Sequence, residues 1–462
     1  MLAFPGYRPS RRVATSAALG AGALLLPLAA QAQMPDRYTL DQYFGQGVPG
    51  YGEQLGTTVM SRQRPEYQPL GVRLGDFIVH PELDEGIGYN SNIIGQVPAK
   101  DSLTEATTGT LTFGSDWKRD SLGGSISVTN EQFPGLPDQN QTNWSGALGG
   151  SIDIGRDKLT LAVSHLHAFI LPYGIDVVSF NRPGTLYSAP IPYDVNDVRI
   201  GYTTVFNRLS ITPSFDFTNI TLGSTQYFGL NGFVPPPPVN GFIAGQPENL
   251  NYLDHNTYTG AVEARYQYAP LRDIVVVARG TEIEYGNSNA NLFGPNRSGE
   301  AVDLLAGLDY TANGVWQYRA LVGYELRNYN NYGSHSAPVF EGSVAWQPSG
   351  LDTVTLKALR TIDDAVDQNI AGFIYTSGRL QWDHELRRNI LLSAYGSIQH
   401  ASYLQTNNGQ ETFFGAGGGV TYLMNRTIHV ALTYDWVDHN GQNGYGPNFT
   451  QNVALLQFRF AL

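Results

Sequence analysis

The sequence predicts an all-β chain closed into a transmembrane antiparallel β-barrel of about eighteen strands, with short periplasmic turns and long extracellular loops. Three observations predict it. Long runs alternate apolar and polar side chains with a period of two. Eight tight polar turns recur along the chain, separated by longer loops. The first thirty residues read as an export signal, and no later apolar run reaches the 18 residues that a membrane-spanning helix needs.

The last hairpin shows the alternation most fully. Ile428, Val430, Leu432, Tyr434 and Trp436 alternate with His429, Ala431, Thr433 and Asp435. After a Gly/Asn-rich loop, Ala454, Leu456, Phe458, Phe460 and Leu462 alternate with Leu455, Gln457, Arg459 and Ala461. In a soluble sheet the greasy face would meet a core. In a barrel it meets lipid, and the polar face meets a water-filled lumen. The same pattern recurs at 316–327, where Trp316, Tyr318, Val322 and Leu326 oppose Gln317, Arg319, Glu325 and Arg327. It recurs again at 262–268 and 340–347. The runs 158–170 and 274–286 alternate poorly, so their faces stay unassigned.

Composition agrees. The 462 residues are 15% charged, with 52 Gly, 27 Tyr and 21 Phe, which suits tight turns and aromatic girdles. A net charge of −12 argues against a nucleic-acid partner, which requires a basic face. The absence of Cys excludes disulfides and thiol or zinc-thiolate chemistry.

Taken in order, Arg8, Arg11 and Arg12 precede the apolar segment Val13 to Leu28 and the small-residue site Ala30-Gln31-Ala32. Residues 1–32 are therefore expected to be a signal peptide. Residues 33–70 are rich in Pro, Gly, Tyr, Gln and Arg without a period, and are expected to form a periplasmic N-terminal arm. The barrel is expected over 71–462. Tight turns fall at 117–120, 155–158, 207–208, 270–273, 312–314, 347–350, 384–389 and 424–426. Longer loops lie between them, the longest at 171–192 and 221–253. Eight hairpins, an opening strand at 72–93 and a closing strand at 449–462 make eighteen; the count falls to sixteen if the weak pair near 104–131 is divided differently. A β-propeller would place four short strands in each interval of this length, and a sandwich would use strands half as long.

The segment from Pro65 to Ile93 reads PEYQPLGVRLGDFIVHPELDEGIGYNSNI. Through Pro69, Leu70, Gly71, Arg73, Gly75 and Phe77, and then Tyr89, Asn90 and Asn92, it resembles the opening of the outer-membrane proteins of the beta-barrel porin 2 family. The resemblance continues more loosely, as barrel pattern, to the C-terminus. It implies a porin-like barrel in the outer membrane of a Gram-negative bacterium and, from the gene neighbourhoods of that family, a link to surface exopolysaccharide. No catalytic motif comes with it.

Candidate chemistry is sparse. No Gly-x-Ser-x-Gly, P-loop or His-Glu-x-x-His occurs. His165 and His167 share a face but lack an identifiable third ligand. Asp363, Asp364 and Asp367 lack the Gly and closing Glu of a calcium loop. His429 and Asp435 are six residues apart, about 20 Å along a strand, too far for a dyad. The run Pro235 to Pro238 reads as a loop stiffener. No enzyme, cofactor or metal is expected. The residues expected to line the lumen are Glu263, Arg265, Arg319, Glu325, Arg327, Lys357, Arg379, Asp435 and Arg459. Two functions follow. One is a channel in contact with membrane lipid that passes small hydrophilic solutes or polysaccharide. The other is a non-conducting structural or glycan-anchoring barrel that acts through its extracellular loops.

Overall fold

The structure is a computed structural model and describes residues 48–51, 57–171, 174–175, 185–187, 189–229, 247–249, 251–286, 297–365, 370–404, 409–442 and 447–462. Signal residues 1–32, Pro235–Pro238 and Asp367 lie outside the described residues.

Strands of 12 to 17 residues with one apolar face need two environments and a pairing partner on each edge. Eighteen strands meet that need as a single ring: β1 (Phe77–Asn90), β2 (Ser102–Ser115), β3 (Ser121–Gln132), β4 (Gln141–Ile154), β5 (Asp157–Ile170), β6 (Ile191–Phe206), β7 (Leu209–Leu222), β8 (His255–Ala269), β9 (Arg272–Tyr285), β10 (Gly299–Tyr310), β11 (Trp316–Tyr329), β12 (Gly333–Ser349), β13 (Asp352–Asp364), β14 (Gly372–Arg387), β15 (Ile390–Tyr403), β16 (Gln410–Leu423), β17 (Ile428–Gln442) and β18 (Phe449–Ala461). Each pairs antiparallel with its successor, and β18 pairs with β1 from Ala461↔Glu82 to Val453↔Asn90. The region near 104–131 resolves into β2 and β3, so the count is eighteen rather than sixteen. All eight expected tight turns join strands at one end, and all the longer loops lie at the other.

The opening segment builds the closure. Val72–Leu74 folds back on Phe77–Val79 through a turn at Gly75, whose φ of 63° favours glycine. Arg73 Nη2 donates to Asp116 Oδ2 at 2.6 Å, and Phe77 stacks edge-on against Phe113 and Trp117. At the long-loop end, buried Asn92 donates through Nδ2 to the carbonyls of Gln96 and Thr450, which ties the loop after β1 to β18. On the inner wall Arg459 donates to both Asp84 oxygens, at 2.7 and 2.8 Å, across the closing seam.

The outward face carries exposed Leu, Ile, Val and aromatic side chains on every strand. Near the short turns it is ringed by Phe206, Tyr268, Trp316, Trp346, Trp382 and Tyr422. Further along the strands the same face turns polar at Glu105, His167, Asn196, Asn219, Glu282, Glu300, Asn328 and Asp438. About ten residues of tilted strand separate the two levels, roughly 25 Å, the height of a bilayer's apolar band.

One rung of the ring is missing. β12 pairs with β11 along Trp316↔Trp346 to Tyr329↔Gly333, but with β13 only as far as Phe340↔Arg360. Continuing that register would set Pro338 opposite Ile362, and Pro338 has no N–H to give. The end of β13, still paired with β14, turns towards the inner face of β11. There the Ile362 N–H donates to Glu325 Oε2 at 3.0 Å, and Arg327 Nη1 donates to the Ile362 carbonyl at 2.8 Å. Arg360 Nε takes the Pro338 carbonyl at 3.1 Å. Side chains thus replace the absent backbone pair. Replacing Glu325 with Ala strands the Ile362 N–H and is expected to cost about 1–3 kcal/mol, read as a lower urea midpoint in detergent micelles; an unchanged midpoint would show that the substitution by side chains is incidental.

Candidate functional site: the barrel lumen

An eighteen-stranded ring is wider than its own side chains fill. The inner face of β13 to β17 shows how the remaining space is used. Near the short turns Thr353, Glu385, Leu391 and Leu423 are buried. Near the long loops Phe373, Tyr375, Ala401, Tyr403, Phe413 and Val437 are buried. Between the two, Lys357, Arg379, Gln381, Ser393, Tyr395, Ser397, Thr433 and Asp435 retain accessible surface. Buried, accessible, buried, on β14, β15 and β16, with β13 sharing the floor and β17 the roof, describes a chamber with a floor and a roof.

The floor is the N-terminal segment. Residues 57–68, part of the expected N-terminal arm, sit against the inner wall. The Val59 N–H donates to Thr353 Oγ1 at 2.9 Å, and Val59 is fully buried with Leu391 and Leu423, flanked by Met60 and Tyr67. Arg64 Nη2 reaches Glu385 Oε2 at 2.7 Å and also donates to the Val59 carbonyl. The Tyr67 carbonyl lies 2.9 Å from His429 Nε2. An arginine with 2% of its surface exposed cannot stay there without such a partner. Residues 48–51 lie on the opposite wall. There Tyr51 donates to Asp197 Oδ1 at 2.7 Å and Arg199 stacks on the Tyr51 ring at 4.5 Å. Gly149 on β4 leaves room for the Pro49 backbone; any side chain at 149 would collide with it.

The roof is apolar. Leu171 and Ile175, from the loop after β5, cluster with Ile370, Phe373, Tyr403, Phe413, Val437 and Phe449. A second cluster joins Val48 and Tyr51 to Leu166, Ile170, Tyr193, Ile220, Tyr252 and Leu253. The described parts of the loops after β5 and β7 thus fold onto the inner walls.

All nine expected lumen residues fall on the inward register, but they differ in surroundings. Glu263 is held by Arg319 Nη2 at 2.7 Å and by its neighbour Arg265, which also reaches Asp309 at 2.7 Å. Arg279, which the sequence left unassigned, bridges Asp303 and Glu341. Glu325 and Arg327 are buried beneath β13, with Arg327 also on Asp364 at 2.5 Å. They therefore face inward without lining open space. Asp435 accepts the Tyr395 hydroxyl at 2.5 Å, and Arg459 is taken by Asp84. Lys357 and Arg379 have no carboxylate partner among the described residues.

The remaining candidates resolve simply. His165 and His167 lie on the outward face beside Trp144, near the level where that face turns polar, and contact Asn196 at 2.8 Å and Asp194 at 2.9 Å. Among the described residues no group of His, Asp and Glu is arranged to hold a metal ion. Asp364 is engaged by Arg327, Tyr285 and Tyr329. Sequence reasoning missed Tyr51, Val59 and Arg64, because a stretch rich in Pro, Gly and Gln carries no period to mark single buried anchors.

A ring of lipid-facing strands with an aromatic girdle, short turns and an inward polar face defines an outer-membrane β-barrel of the porin type. The chain belongs to the family described as Putative beta-barrel porin 2, whose model matches residues 64–462. No curated protein matches its sequence. Similar solved structures include OccAB3 of Acinetobacter baumannii (TM-score 0.44, 8% identity, covering 84% of this chain and 100% of that one). OccK1 (OpdK) of Pseudomonas aeruginosa gives 0.41 and 9%, covering 83% and 99%. A BenF-like porin from Pseudomonas fluorescens Pf-5 gives 0.42 and 10%, covering 84% and 100%.

Replacing Arg64 with Ala leaves buried Glu385 with Arg62 Nη1, at 3.5 Å, as its remaining cation, a loss of up to about 3–5 kcal/mol when such a pair is broken, which the floor can relieve by leaving the wall. Chymotrypsin is then expected to cut after Tyr67 in the variant and in Glu385→Gln, while the unmodified protein resists; equal resistance of all three would show that this pair does not hold the floor.

Proposed function

We propose that the chain is an outer-membrane channel for small hydrophilic solutes, held closed from below by residues 57–68 and from above by Leu171 and Ile175 of the loop after β5, with residues 48–51 seated on the inner wall of β4 to β6. The observation that carries this reading is the accessible polar layer between two buried ones on β14 to β16. A purely structural barrel would gain stability by filling that layer with apolar side chains. A porin without a gate would leave the floor and the roof open. Passage then requires the floor, the roof or both to move. The floor and the roof both lie across the path that a threaded polymer would take, so we assign small solutes in preference to surface polysaccharide. We assign no catalytic role, since the buried acids of the lumen are engaged by arginine, tyrosine or backbone. In this reading residues 1–32 direct export.

A second reading, the non-conducting anchor that presents its loops to surface glycan, is favoured by one feature: both ends of the chamber are obstructed. Single-channel recording in planar bilayers separates the two. The channel reading expects small or rare openings for the unmodified protein and a severalfold larger open fraction for Arg64→Ala and for Gly149→Val, each of which disturbs the seated segment. Silence in all three forms would favour the anchor.

A further inference from the structure

Lys357 and Arg379 occupy directly facing positions on β13 and β14, both on the inward register. Like charges set opposite one another across a ladder repel. Elsewhere on the inner wall, Arg199, Arg265, Arg279, Arg319, Arg327 and Arg459 each have a carboxylate within ion-pair distance. This pair has none among the described residues. Lys357 keeps an exposed side chain although it stands at mid-depth, between Thr353 under the floor and Leu359 under the roof. Its ammonium therefore points into open chamber.

Arg379 is held flat. Its guanidinium carbon lies 3.6 Å from the centre of the Tyr395 ring, it also donates to the Tyr395 side chain, and Nη2 makes a long hydrogen bond, 3.5 Å, to Gln381 Oε1. Tyr395 is itself fixed by its hydroxyl on Asp435. Gly417 provides the room, since a Cβ there would meet Asp435 Oδ1 at 2.5 Å and Tyr395 Cε1 at 2.6 Å. The arrangement presents a planar fork and a point charge side by side, with donors unspent. Asp435 and Asp383 act on Arg379 only from beyond ion-pair distance, with Asp435 accepting from Tyr395 and buried Asp383 from Gln381 Nε2 at 2.9 Å. The surrounding wall carries hydroxyls and amides, at Ser377, Ser393, Ser397, Gln399 and Thr433.

We propose that Lys357 and Arg379 form a binding site for a carboxylate on a small polyhydroxylated solute, of the chemistry of an acidic monosaccharide. The carboxylate bridges the ammonium and the guanidinium and relieves their mutual repulsion. The solute's hydroxyls exchange hydrogen bonds with the serine, threonine and glutamine side chains. This site rests on the channel reading for its purpose, but its occupancy does not depend on conduction.

The test is equilibrium titration calorimetry on the purified full chain in detergent, in unmodified and Arg64→Ala forms, with galacturonate, galactose and inorganic phosphate as probes. The site predicts that galacturonate binds at least one form, that galactose binds at least tenfold more weakly, and that Lys357→Gln and Arg379→Gln each weaken galacturonate at least tenfold in that form. Arg379→Lys, which keeps the charge, should recover part of the loss, and a retained urea midpoint shows that the variants are folded. Equal binding of galactose, indifference to both substitutions, or binding of phosphate alone would overturn the proposal. Binding without bilayer conductance would leave the site standing and remove the channel; conductance without binding would do the reverse.

Discussion

Inside a bilayer no water is at hand to pair a backbone amide or carbonyl, so every strand edge must find another strand. The rest of the structure depends on that constraint. It forces β18 back onto β1, and it places the opening hairpin, with Arg73 on Asp116 and Phe77 on Trp117, at the point of closure. It also explains the exception. Where Pro338 cannot donate, the ladder stops, and Glu325 and Arg327 take over both hydrogen bonds of Ile362. Two residues that look like pore charges in the sequence are in part backbone partners.

Closure at eighteen strands creates a second constraint, since the ring encloses more space than its inward side chains occupy. The protein fills the excess unevenly. Ion pairs such as Arg319 on Glu263 and Arg279 on Asp303 line one part of the wall, the N-terminal segment covers the floor, and apolar loop residues cover the roof. What stays unfilled is the layer around Lys357, Arg379 and Tyr395. The contrast between engaged and unengaged cations gives that layer its functional interest.

Much of this was legible in the sequence because turns and periods are local signals. All eight tight turns and the faces of β8, β11, β12, β17 and β18 follow from alternation alone. The failures have a common cause. On β5, Ala162, Leu166, Ala168 and Ile170 face inward yet are apolar, because Val48 and Tyr51 and, from the loop after β7, Tyr252 and Leu253 pack on them. On β9, Val275 and Val277 face inward against Leu305, Leu321 and Val339. A strand with two apolar faces has no period to read. The floor was hidden for the opposite reason: its anchors, Tyr51, Val59 and Arg64, are single residues in a polar stretch, each buried by a partner more than a hundred positions away. The charged residues were found by register, but which of them are free depends on contacts three strands apart.

The central claim is that the floor closes the chamber and that its movement opens it. Since the chain has no cysteine, a single engineered bridge can test this without interference. Val59 and Thr353 are in contact, and the double variant Val59→Cys/Thr353→Cys can be recorded in a planar bilayer before and after a reductant is added. The account predicts silence while the bridge is intact and openings once it is reduced. Equal conductance in the two states would contradict it.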